Sequence, residues 1–88
     1  MRIKINFSYR LGELVGTRDL EIELAKGSNV RDLLTKLTTK FGNEFKNDVW
    51  DGENKTYVSI AINEKMSDVN AELNESDEVY LSLPVPAG

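Results

Sequence analysis

Eighty-eight residues with fifteen acids, eleven lysines or arginines, and neither cysteine nor histidine narrow what this chain can be. One domain fits that length, burying about 60–65% of its unfolded surface, and disulfides, cysteine zinc sites, iron–sulfur clusters and histidine-based catalysis are excluded. A net charge of −4 lacks the basic footprint that nucleic acid requires and mildly favours basic partners.

No apolar run is long enough for a membrane span, and the alternating N-terminus does not read as a signal peptide. A cytoplasmic location, with no nucleic acid and no membrane among its partners, is the expectation. Ile3, Ile5, Phe7 and Tyr9 alternate with Arg2, Lys4, Asn6, Ser8 and Arg10, the period of a half-buried strand. Leu11 to Gly16 holds two glycines and reads as a loop closing a hairpin. Leu20, Ile22 and Leu24 alternate with Asp19, Glu21 and Glu23, predicting a second, antiparallel strand.

Gly27-Ser28-Asn29 breaks the chain and starts a helix, with Ser28 or Asn29 as the N-cap and Asp32 in the first turn. Val30, Leu33, Leu34, Leu37 and Phe41 form one apolar stripe, and Gly42 ends it. Phe45 and Val49 share a face of a short helical turn. Trp50, the single tryptophan, is either a lid on the core or an aromatic anchor at an interface. Asp51-Gly52-Glu53-Asn54 reads as a loop. Val58, Ile60 and Ile62 predict a third strand, Asn63-Glu64-Lys65 a turn, and Met66, Val69 and Leu73 core points in an irregular stretch. After a turn at Asn74–Asp77, Val79, Leu81 and Leu83 form the last strand.

One amphipathic helix and four one-sided strands are buried most simply by laying the helix across one face of a single sheet. The first and last strands should sit centrally. The expected fold is α+β: a β-grasp, or ubiquitin-like, mixed sheet with one main helix, spanning residues 1–83, followed by an extended tail at 84–88. The predicted core is Ile3, Ile5, Phe7, Leu20, Ile22, Val30, Leu33, Leu34, Leu37, Phe41, Val58, Ile60, Ile62, Val79 and Leu81.

Side-chain chemistry is sparse. Asp19, Glu21, Glu23, Asp77 and Glu78 lie on an exposed strand face or in a turn and read as solvated surface. Ser8, Ser59 and Ser82 have no histidine to activate them. Gly12 and Gly16 do not open a helix as a phosphate loop would, and read as turn residues. The distinctive stretch is Leu83-Pro84-Val85-Pro86-Ala87-Gly88. Two prolines bar further helix or ladder and favour extended backbone, giving these six residues a reach of roughly 20 Å. The stretch either frays as a plain terminus or carries the Gly88 carboxylate into a narrow site on another protein. On the sheet's outer face, polar at Asn6, Ser8, Ser59 and Ser82, Ala61 and Tyr80 are the apolar exceptions, and Tyr80 is the expected docking anchor.

Gly12-Glu13-Leu14-Val15-Gly16 after a first strand, Asn29-Val30-Arg31-Asp32-Leu33-Leu34 opening the helix, and Asp77-Glu78-Val79 before a glycine-ended Pro-Val tail together resemble the MoaD-type sulfur carriers, the small subunits of molybdopterin synthase and relatives of ThiS and archaeal ubiquitin-like modifiers. The resemblance implies a carrier protein, not an enzyme, with no cofactor of its own. An E1-like adenylating enzyme of MoeB type would adenylate Gly88 and sulfur would displace AMP. The thiocarboxylate would then serve a large molybdopterin synthase subunit of MoaE type. Gly88 would carry the chemistry, with Tyr80, Leu83, Pro84, Val85, Pro86 and Ala87 binding partners. Family tails usually end Gly-Gly, whereas Ala87 precedes Gly88 here. Three readings remain: a sulfur carrier for molybdopterin synthesis, a ubiquitin-like carrier or modifier serving tRNA thiolation or lysine attachment, and a β-grasp interaction domain with an inert tail.

Overall fold

The computed structural model describes residues 1–83 of the chain. The elements are β1 (Arg2–Phe7), α1 (Tyr9–Val15), β2 (Asp19–Glu23), α2 (Val30–Phe41), α3 (Asn43–Val49), β3 (Ser59–Ile62), β4 (Lys65–Ser67) and β5 (Glu78–Ser82). The five strands form one sheet in the order β2-β1-β5-β3-β4. β1 and β5 run parallel, and the other pairs are antiparallel. The alternation in β1 sends Ile3, Ile5 and Phe7 into the core, beside Ile22 of β2 and Val79 and Leu81 of β5. Val30, Leu33, Leu34 and Leu37 of α2 meet them there. This is the expected β-grasp arrangement, with the two best-patterned strands inside the sheet.

α2 starts where its sequence says. Asn29 Oδ1 accepts the Asp32 N–H at 2.9 Å, and Asp32 Oδ2 accepts the Asn29 N–H at 2.9 Å, a reciprocal capping box. The two N–H groups that the box leaves orphaned donate to a distant segment: Val30 to Ala71 O and Arg31 to Val69 O, both at 3.0 Å. Gly42 ends the helix, its N–H donating to Thr38 O at 2.8 Å. Phe45 and Val49 of α3 are buried, and so is Trp50. The Trp50 indole N–H donates to Thr38 Oγ1 at 2.9 Å, tying the end of α3 to α2. Trp50 is therefore the core lid of the two roles open to it.

Several expectations change. Residues 11–16 lie in a helix and its cap, not an open loop. Leu11 and Gly12 are buried, and Gly16 takes the left-handed C-cap at φ 86°. Gly12 is a packing glycine: an added Cβ there would lie 2.9 Å from Arg18 Cδ and 3.1 Å from Thr17 O. Tyr9 opens this helix and is 65% exposed, so it does not continue the strand inward. Met66 is 74% exposed on β4, not in the core. Val69 and Leu73 are buried, because residues 68–73 pair with the start of α2 and are not merely irregular. Leu20, Phe41 and Ile62 are half-buried at the margin of the core, which Leu24, Phe45, Val49 and Trp50 help to fill.

Candidate functional site

Because β1 and β5 are parallel and Phe7 lies opposite Leu81, both strands end on the same side of the molecule. β1 turns there into α1 and β5 delivers Leu83. Ser8 joins the two: its N–H donates to Leu81 O at 2.9 Å, and its Oγ accepts the Leu83 N–H at 3.3 Å. Leu83 is half-buried against the core. It lines a hollow with Arg10, Glu13 and Leu14 of α1 and Asp48 of α3. The chain thus leaves the sheet from a fixed point beside α1. The expectations for Pro84, Val85, Pro86, Ala87 and Gly88 lie outside the described residues.

The outer sheet face has two halves. Over β2, β1 and the start of β5 it is a charge ladder. Arg2 Nε lies 3.4 Å from both Glu21 Oε2 and Glu23 Oε1, and Lys4 Nζ lies 3.6 Å from Glu78 Oε1. These exposed pairs are solvated surface, of little energetic weight. Over β5, β3 and β4 the register sets Tyr80 opposite Ala61, and Ala61 opposite Met66, in one cross-strand row. Tyr80 is 46% exposed. The row matches the expected apolar exceptions and adds Met66 to them.

Asp77, expected in water, is only 8% exposed. Its carboxylate accepts the Asn63 Nδ2–H and the Asn74 N–H, both at 2.8 Å, pinning two turns together. Asp51 Oδ1 accepts N–H groups from Glu53, Asn54 and Lys55 at 2.7, 2.9 and 3.1 Å. These bonds hold its carboxyl below the usual range, with the Glu53 N–H the largest cause. Both aspartates shape loops. Among the described residues no group of three or more acidic, cysteine or histidine side chains could hold a metal ion, and no helix is long and apolar enough to cross a membrane.

Of the predicted site residues, Leu83 stands at the exit point and Tyr80 on the open face. Ser8 and α1 were not expected at the exit. Leu11, Leu14 and Val15 at i, i+3 and i+4 carried the helical signal, which the two glycines obscured.

Residues 5–88 match the ThiS family. The chain belongs to that family. Its members are small ubiquitin-fold sulfur carriers of the ThiS and MoaD kind. A Pyrococcus furiosus protein, titled as a candidate molybdopterin converting factor subunit 1, is 32% identical over 97% of this chain and 99% of its own, with a TM-score of 0.82. SAMP1 from Haloferax volcanii superposes with a TM-score of 0.84 over 100% of both chains at 20% identity. A chain in the complex of subunits 1 and 2 of the Helicobacter pylori molybdopterin-converting factor gives a TM-score of 0.67 at 21% identity, again over 100% of both chains. The last two likenesses concern the fold alone. No sequence among the curated proteins matches the chain.

Proposed function

We propose that this member of the ThiS family is the small, sulfur-carrying subunit of a molybdopterin synthase, and that its reactive group is the main-chain carboxylate of Gly88. The observation that carries the reading is 32% identity, across 97% of this chain, to a protein titled as a molybdopterin converting factor subunit 1 candidate. A carboxylate is a poor acyl donor to sulfur. Its oxygen must first attack the α-phosphorus of ATP, releasing pyrophosphate and forming an acyl adenylate. Sulfide then attacks the carbonyl carbon, and AMP leaves with the original oxygen. The result is a thiocarboxylate with sulfur in place of one oxygen. The catalytic groups for both steps belong to an E1-type adenylating enzyme. The charged tail then serves a large synthase subunit, as subunit 1 pairs with subunit 2 in the H. pylori complex.

The polar outer-face positions Asn6, Ser59 and Ser82 favour a second destination, a ubiquitin-like carrier or modifier in another pathway, because family faces that dock on partners tend to be apolar. The test is incubation with an E1-type enzyme, ATP and sulfide, followed by intact-mass and C-terminal fragment spectrometry. The expected product has one sulfur for one oxygen, located at Gly88, and is consumed by a MoaE-type subunit acting on the pterin precursor. A product formed but refused by that subunit would support the second destination. No product would leave an interaction domain with an inert tail.

A further inference from the structure

The sheet's exit end carries more exposed apolar surface than its single anchor on β5 accounts for. Tyr9, Leu14, Tyr57, Met66 and Tyr80 are the exposed large apolar side chains among the described residues. Tyr80 and Met66 belong to the open sheet face. The other three do not. Tyr9 and Leu14 are on α1, which begins where β1 ends, beside the departing Leu83. Tyr57 precedes β3, whose first residue Ser59 lies opposite Ser82, so it flanks the same end.

Resting on the reading of Gly88 as the acyl group, we propose that α1 is a docking collar for the adenylating enzyme, with Tyr9 and Leu14 as its contacts. The argument is one of reach. Gly88 lies five residues beyond Leu83, so its carboxylate can be at most roughly 17 Å from the exit point. Adenylation needs a water-poor site, since an acyl adenylate in open water hydrolyses. With only five residues between Leu83 and the reacting carboxylate, Leu83 has to come within that reach of the enzyme's site, and the surface around Leu83 is the part of the domain brought nearest the enzyme. Leu14, Arg10 and Glu13 share the hollow with Leu83. Tyr9 is the most exposed aromatic among the described residues at 65%, with Arg18 held 5.8 Å over its ring. An aromatic and a leucine flanked by charges have the make-up of a small interface core with a polar rim. Ser8 ties the collar to the exit point through both of its hydrogen bonds, so α1 and Leu83 are presented together.

The experiment measures ATP–pyrophosphate exchange by the E1-type enzyme against carrier concentration, for the full chain and for Tyr9→Ala, Leu14→Asp, Leu14→Met and Tyr80→Ala. Thermal melts of each variant run alongside, and affinity is also measured by titration without ATP. Tyr9→Ala and Leu14→Asp should raise KM for the carrier about ten-fold or more at unchanged kcat, and weaken ATP-free binding by the same factor. Leu14→Met should behave as the parent chain. Tyr9, largely in water, can be truncated with little risk to the fold, so it decides the matter should Leu14→Asp melt early. Parent-level KM and affinity for Tyr9→Ala, or losses confined to Tyr80→Ala, would overturn the collar. A parent chain that neither binds nor supports exchange sinks the carrier reading itself, and the collar with it. Exchange by the parent with no effect of the α1 substitutions sinks the collar alone.

Discussion

The two faces of the sheet come from the same strands, in the same alternation, yet do different work. On the helix side, Ile3, Ile5, Phe7, Ile60, Val79 and Leu81 are closed over by α2. On the open side, the residues between them form a charge ladder at one edge and a Tyr80–Ala61–Met66 row at the other. The covered face carries the stability of a small domain that has no disulfide to help it. The open face is free of that demand, and its composition can follow partners. The contrast teaches that exposure in this molecule is organised: the exposed large apolar side chains of the described residues lie on the open face or around the exit of β5.

The sharpest way to break the contrast is to hollow out the covered side. Leu34 is fully buried on α2. Leu34→Ala should cost about 2–5 kcal/mol in urea unfolding. A loss under about 1 kcal/mol would mean that α2 does not close the core. Thr38→Val tests the lid next. It keeps the side-chain shape but strips the indole N–H of Trp50 of its acceptor, and should cost about 1–3 kcal/mol. A neutral result would show that water takes the place of the hydroxyl.

On the open face the effects should shrink and change kind. Tyr80→Ala should alter stability by no more than about 1 kcal/mol, the span of strand propensity, while weakening binding to the proposed adenylating enzyme. Lost stability with unchanged binding would put Tyr80 with the covered side. The smallest effect belongs to Asp51. Its carboxyl titrates below its usual range because folded-state N–H groups favour the ionised form. Such a group adds stability above its unfolded value and loses it as pH falls through the folded value, that is, below about pH 4. The stability gap between the parent and Asp51→Asn should therefore narrow on acidification from pH 5 to 3. Parallel curves would show that the Asp51 loop contributes no proton linkage.

Much of this was readable from residue order. Strand alternation and the α2 stripe give strong local periodicity, and a capping box needs only Asn29 and Asp32. The outward position of Tyr80 and the end of the last strand near Leu83 were legible too, because strand alternation and a following proline are local features. Other features depend on which segments meet. Leu11 and Gly16 read as a loop because two glycines weaken helix propensity, and only packing beneath β5 makes α1 worth forming. Met66 and Val69 look alike in the sequence, but β4 turns one outward while the pairing of residues 68–73 with α2 buries the other. Asp77 reads as a turn residue until Asn63 and Asn74 arrive from elsewhere in the chain. Sequence alone determined the elements whose period is written in consecutive residues. Tertiary structure decided the parallel pairing of β1 with β5, and with it the gathering of Ser8, α1 and Leu83 at one exit, because those contacts join residues more than seventy positions apart.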